Sequence, residues 1–209
     1  MYNLPHGFYS LVEGDDETIA ALVNRGVVLS GHRQLSGGGC TDIYLEMANL
    51  SNDGHEIPVV RNLAYLLLRH NPEIRTLVGP ETLGAVIAKQ AAELMCEISG
   101  RSVISVAALH KDQGGKLILA SELLKIVPPI AIVDDVTTTL NTNRTVEQAL
   151  GSLRGGVVAY ACVVDRRPPG VETDQPTISL VRANFPYWPP GKCPKHGDQL
   201  CLATAPADP

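Results

Sequence analysis

The 209-residue chain has no excess of positive charge: 17 Lys and Arg stand against 22 Asp and Glu, a net charge of -5. That balance excludes the broad basic surface with which nucleic-acid binders meet phosphates, and leaves only a local pocket for a small anion. No run reaches the roughly 18 consecutive apolar residues of a membrane helix, so no membrane partner is expected. Residues 1–17 lack a positively charged start followed by an apolar stretch, so no secretory signal is expected. Five cysteines, Cys40, Cys96, Cys162, Cys193 and Cys201, form no even, regularly spaced framework, which reads as a reducing compartment, the cytoplasm. Asn49-Leu50-Ser51 and Asn143-Arg144-Thr145 are then chance matches to glycosylation sites. Internal repeats and low-complexity linkers are also missing. What is present is ordinary for a globular protein, 44% apolar and 19% charged residues, in a chain long enough for one sizeable α/β domain.

Hydrophobic periodicity organises the chain. Residues 16–25 read as an amphipathic helix opened by acids, and residues 27–29 and 43–47 as strands either side of the turn Ser36-Gly37-Gly38-Gly39. A helix is expected over 58–70, a short strand over 76–79, and a long helix over 82–98 closed by Gly100. Residues 103–109 look like a strand, 110–116 are polar and contain glycine, and 117–119 resume an extended pattern. The apolar run 129–133 reads as a buried parallel strand ending in Asp134-Asp135. A helix over 142–153 and a strand over 156–164 follow. Strands alternating with helices imply βαβ units, hence an α/β fold with a mostly parallel sheet. After Pro168 the chain is rich in proline and is expected to run as an extended tail. The reading is one domain over 1–209, with a hood subdomain over about 1–60, a core over 61–168 and the tail over 169–209.

The segment Ile130-Ala131-Ile132-Val133-Asp134-Asp135-Val136-Thr137-Thr138-Thr139-Leu140-Asn141-Thr142 carries the chemistry. An apolar strand delivers two carboxylates and then hydroxyl side chains at a helix start. Ligands of open α/β sheets bind beyond the carboxyl ends of the strands. A helix N-terminus offers unpaired N–H groups and a favourable dipole to a phosphate. Carboxylates accept hydrogen bonds from vicinal hydroxyls, so a phosphate cradle beside two acids describes a sugar 5-phosphate site. Alone, Asp-Asp-x-Thr is more often a helix cap and a solvated turn. The strand before it and the helix after it favour the ligand site here.

This segment resembles the signature with which type I phosphoribosyltransferases bind 5-phosphoribosyl pyrophosphate (PRPP). Further segments, in order, are similar to orotate phosphoribosyltransferases. They are Leu35-Ser36-Gly37-Gly38-Gly39-Cys40-Thr41-Asp42-Ile43-Tyr44-Leu45-Glu46, the turn Gly79-Pro80-Glu81-Thr82-Leu83-Gly84, Val164-Asp165-Arg166-Arg167, and Tyr187-Trp188-Pro189-Pro190 with Cys193-Pro194. The resemblance spans roughly residues 17–201. It implies a type I phosphoribosyltransferase-like fold with a small N-terminal hood, a homodimer, and magnesium-dependent transfer of phosphoribose to orotate or another acidic base, with pyrophosphate released, as in pyrimidine biosynthesis. It also implies roles. Asp134 and Asp135 would bind the ribose hydroxyls, contacting Mg²⁺ directly or through water. Thr137, Thr138, Thr139, Leu140, Asn141 and Thr142 would hold the 5-phosphate. Glu81, Thr82, Leu83 and Gly84 would take the pyrophosphate, Lys111 and Lys116 would lie on a loop closing over the site, and Arg166, with Tyr44, would meet the base. The bland alternatives are a solvated turn for the two lysines, a surface ion pair for Arg166 and a core aromatic for Tyr44.

The chain departs from the family pattern at identifiable places. Leu140 stands where the phosphate loop has glycine, and Asn141 follows in place of threonine. Gly38 and Gly39 stand where lysine is expected, Ala107 and Ala108 replace an Arg-Lys pair, and the mobile loop is short. These losses of cations keep open a regulatory protein that senses PRPP or a nucleotide, or an enzyme with another base or running in the phosphorolytic direction. Other motifs fall away. Gly79 and Gly84 have Walker spacing, but Ala85-Val86 replaces Lys-Ser/Thr, and no Gly-x-Gly-x-x-Gly follows a strand. Cys193, His196 and Cys201 offer three soft ligands where structural zinc wants four. His6, His32, His55 and His70 show no metal or triad spacing and read as surface or core residues. Val60, Leu63 and Leu67 read as core.

Overall fold

The structure, a computed structural model, describes residues 8–35, 39–51, 57–80, 82–101, 105–111, 117–119 and 126–195. After a short 3-10 turn the elements are β1 (Val12–Gly14), α1 (Asp16–Asn24), β2 (Val28–Gln34), β3 (Cys40–Leu45), α2 (Ala48–Ser51), α3 (Ile57–His70) and β4 (Thr76–Pro80). They continue with α4 (Leu83–Ser99), β5 (Ser105–Lys111), β6 (Leu117–Leu119), β7 (Ile130–Thr137), α5 (Asn141–Leu150), β8 (Val157–Asp165) and β9 (Thr177–Ala183). Helix starts and stops follow the sequence signals. The Asp15 carboxylate accepts from the Thr18 N–H and caps α1, and Gly100 takes the left-handed conformation that closes α4.

Seven strands form the main sheet in the order β1-β9-β8-β7-β4-β5-β6. The interior pairs β9–β8, β8–β7, β7–β4 and β4–β5 are parallel, and only the edge pairs β1–β9 and β5–β6 are antiparallel. The α/β, mostly parallel fold is therefore as the sequence implied. Strand alternation divides the core between the two faces. Leu77, Ala131, Val133, Ala159 and Ala161 pack with α3 and α4, while Val78, Ile130, Ile132 and Tyr160 pack with Val146 and Leu150 of α5. Covering on both faces is why β7 reads as a continuous apolar run. Val60, Leu63 and Leu67 are fully buried, as expected. Strands β2 and β3 form a separate antiparallel hairpin.

Two stretches differ from the expectation. The segment after Pro168 is not extended tail throughout, since Thr177–Ala183 enters the sheet as β9 between β8 and β1. Pro176 directly before it and Pro186 soon after it mask the strand pattern. Strand β7 does not stop at Val133 but continues through both acids to Thr137, held by pairing with β8 as far as Thr137–Asp165.

Candidate active site

The sheet brings two strand-to-helix turns side by side, because β4 and β7 are parallel neighbours. Each turn opens a helix whose first residue position lacks a side-chain cap. Thr82 precedes α4 and Leu140 precedes α5, and neither side chain bonds the helix N–H groups. Both helix starts therefore keep donors available for an anion. At the first turn the packing is very close. A β-carbon on Gly79 would lie 2.2 Å from the Gly84 carbonyl oxygen, and one on Gly84 would lie 3.1 Å from the Val133 carbonyl.

Between these turns and the hood hairpin lies a cavity of about 420 Å³. Its walls include Tyr44 from β3, Thr82, Leu83 and Gly84 from the α4 turn, and Asp134 and Asp135 from β7. The structure thus gathers six of the sequence-derived site residues. Asp134 is buried, and its Oδ1 accepts the Asp135 N–H at 2.9 Å, while Asp135 Oδ1 accepts the Val136 N–H at 2.8 Å. Burial, and then the neighbouring Asp135 charge, push the Asp134 carboxyl well above the usual carboxylate range. Tyr44 is likewise raised, first by burial and then by Glu46, with Asp135 adding to it and Arg33 and Arg166 opposing. The Arg33 guanidinium sits 5.4 Å from the centre of the Tyr44 ring.

Other expected residues lie elsewhere. Thr137 is buried, Thr138 and Thr139 are half-buried, and Asn141 and Thr142 are exposed at the start of α5, outside this cavity. Leu140 has φ 63° and ψ 7°, the one positive φ outside glycine among the described residues. Its side chain packs into the core with Ile130, Ile132, Val146 and Leu150. Arg166 does not line the cavity either. It is buried between β8 and the hood, donating to the Thr41 hydroxyl at 2.9 Å and the Ile43 carbonyl at 3.3 Å, with its guanidinium 5.4 Å from the Phe185 ring centre. No carboxylate pairs with it among the described residues, so it is not the surface ion pair of the bland alternative, and burial lowers its pKa to about 10. The neighbouring ion pairing belongs instead to Asp165, which accepts from Arg167 at 2.9 and 2.7 Å and from Arg182. Lys111 ends β5, paired with Leu117 of β6, while Lys116 and Glu81 lie outside the described residues.

No protein-family model matches the chain. Curated relatives do. The orotate phosphoribosyltransferase of Thermotoga maritima is 27% identical over 188 residues, covering 90% of this chain and 93% of the relative. That of Thermococcus gammatolerans is 30% identical over 157 residues, covering 75% of this chain and 80% of the relative. The chain belongs to the orotate phosphoribosyltransferase family. Family membership makes it a type I phosphoribosyltransferase. The crystal structure of orotate phosphoribosyltransferase from Aeropyrum pernix matches with a TM-score of 0.57 at 22% identity, over 77% of this chain and 92% of that one, which establishes the shared fold.

One acid of this phosphoribosyltransferase's cavity escaped the sequence reading. Glu46 lines it beside Tyr44, so three carboxylates face the space and no Lys or Arg does among the described residues. The signal was available, since Glu46 closes the same motif that supplied Tyr44, but only the placing of the hood beside the end of β7 brings it to one cavity with Asp134 and Asp135.

Proposed function

We propose that the chain transfers the phosphoribosyl group of PRPP to a nitrogenous base, orotate or a related acidic base, in the cytoplasm and with Mg²⁺ as cofactor. The observation that carries this reading is the single cavity shared by the acid pair of β7, the α4 turn and Tyr44 of the hood. In it Asp134 and Asp135 accept the ribose hydroxyls and the N-terminus of α4 faces the pyrophosphate, while Thr137–Thr142 with the N-terminus of α5, outside the cavity, hold the 5-phosphate. Three carboxylates would repel a polyanionic substrate, and such an oxygen-rich set suits a hard divalent cation that is held by one or two carboxylates and the substrate's own oxygens. Asp134 and Asp135 are the residues that would hold Mg²⁺, directly or through water, and Mg²⁺ would neutralise charge on the departing pyrophosphate.

The protein's own part is orientation and electrostatics. The close approach of Gly79 and Gly84 fixes the α4 donors relative to β7. Arg166, held by Thr41 and Ile43, places an uncompensated positive charge behind Tyr44 and draws the acidic group of the base to the hood side of the pocket. Lys111 and Lys116 bring cations from the β5–β6 connection. The assembly is proposed as a two-fold homodimer, the commonest closed arrangement of soluble proteins.

Pyrophosphate release from PRPP, measured with orotate and a panel of other bases in the presence and absence of Mg²⁺, tests the reading. Release that requires both an acidic base and Mg²⁺ supports it. PRPP binding without release for any base would replace it with the sensor reading, and light scattering at 22 kDa would remove the dimer.

A further inference from the structure

Beyond the transferase site, the hood and the C-terminal segment converge on a cluster of metal-ligating side chains. His32 comes from β2, Cys40 from β3 and Cys193 from the segment after β9. One ligand atom from each lies within 4.8 Å of the others. Cys40 and Cys193 are buried, 1% and 2% exposed. His32 Nε2 is 3.2 Å from the Cys193 sulfur. A tetrahedral zinc ion, with Zn–S about 2.3 Å and Zn–N about 2.0 Å, spaces its ligand atoms roughly 3.5–3.8 Å apart. The cluster is therefore close to a metal-binding spacing before any ion is added.

A second observation points the same way. His32 Nδ1 lies 2.8 Å from Asp42 Oδ1, and the Lys195 ammonium donates to the same oxygen at 2.9 Å. A carboxylate only accepts, so Nδ1 carries the proton and Nε2 is the basic nitrogen, turned toward the sulfurs. That carboxylate–histidine arrangement is the one that orients imidazole ligands on metals. The surrounding backbone is also fixed: Cys40 and Trp188 exchange N–H···O bonds of 2.8 and 2.9 Å, which joins β3 to the C-terminal segment. Spacing along the chain hides all this, because His32 and Cys193 are 161 residues apart. His32 itself is half-buried and hydrogen-bonded, as a surface or core histidine would be, and only its neighbours in space suggest more.

We propose that His32, Cys40 and Cys193 form a soft-metal site, of the zinc class, that clamps the C-terminal segment onto the hood hairpin. Two thiols and a neutral imidazole take up the divalent cation and release two protons. Cys40 is disulfide-bonded in this structure. The ion and that disulfide exclude each other, since the ion needs Cys40 as thiolate, so it is the reduced chain that binds. The fourth position of a tetrahedral ion is then left to water.

The test uses the full chain reduced with a phosphine, stripped of metal and titrated with Zn²⁺ and Co²⁺. About one zinc per chain is expected to survive dialysis in wild type and in Cys96→Ser, a cysteine outside the cluster, and to be lost in Cys193→Ser. Cobalt is expected to give tetrahedral d–d bands with sulfur-to-cobalt charge transfer, and to quench the chain's one tryptophan, Trp188, whose ring centre is 5.8 Å from that of His32. Asp42→Asn keeps every ligand and should weaken zinc by about 10–100-fold, which decides the matter even if Cys193→Ser does not fold. Full zinc retention in Cys193→Ser, unchanged affinity in Asp42→Asn, or an octahedral cobalt spectrum without quenching would each overturn the proposal.

Discussion

The two turns beside the cavity solve the same problem with opposite residues. At β4–α4 the chain uses glycine twice, because backbone meets backbone: a Cβ at Gly79 has the Gly84 carbonyl at 2.2 Å. At β7–α5 the chain holds the left-handed conformation with a leucine, φ 63° at Leu140. A non-glycine residue there costs about 1 kcal/mol or more, yet its side chain is 2% exposed in an apolar cluster, and burial of a leucine is worth about 1.5–3 kcal/mol. Burial outweighs strain. Glycine is obligatory where space is missing, and replaceable where only a torsion is demanded and the side chain has somewhere to go.

Breaking the first turn should have the largest effect. Gly79→Ala sets a methyl group against a carbonyl that cannot rotate away, and a loss of about 3 kcal/mol is expected, read as a fall in the midpoint of urea unfolding. A midpoint equal to wild type would show that the turn has slack. At the second turn, Leu140→Gly removes a buried side chain, worth about 2–5 kcal/mol by analogy with leucine-to-alanine changes, and relieves the strain. A net loss of about 2 kcal/mol is expected by the same measurement, and a gain in stability would mean that strain dominates after all. PRPP affinity should change less than stability does, because the leucine side chain points into the core and already leaves the turn in the left-handed conformation.

The smallest effect separates the turns electrostatically. Asp134 lies beside the second turn with its pKa raised by burial and by Asp135. A raised folded pKa means that the carboxyl's favourable contribution is intact below its unfolded value of about 3.9 and is lost as pH climbs through the folded value. Asp134→Asn should therefore match wild type near pH 4 and be the more stable of the two at neutral pH, with no ligand present. Thermal unfolding across that range checks it, and a variant less stable than wild type at pH 7 would contradict the buried-acid account.

Much of the fold and part of the site were legible in the sequence. Helices α1, α3 and α4 announced themselves by caps, period and Gly100, and β7 by its apolar run. The acid pair was visible because strand, carboxylates and helix start are contiguous. What the sequence hid is what depends on distant segments meeting. Strand β9 sits in a proline-rich stretch, and its place next to β8 is set by pairing, not by its own pattern. Glu46 becomes a cavity residue only when the hood settles over β7. That Arg166 is tied to Thr41 and Ile43, more than 120 positions away, is equally invisible from its neighbours in sequence.

The central claim is that Asp134 and Asp135 are the groups that hold the ribose of PRPP. Calorimetric titration of PRPP with Mg²⁺ into wild type and into the Asp134→Asn/Asp135→Asn double variant, each shown folded by circular dichroism, tests it most directly. With Mg²⁺ and PRPP bound both acids are ionised against the raised pKa of Asp134, and two hydrogen-bonded charges lost at roughly 1.5–3 kcal/mol each predict a fall in affinity of at least about 100-fold. Unchanged PRPP affinity in the folded double variant would contradict the account.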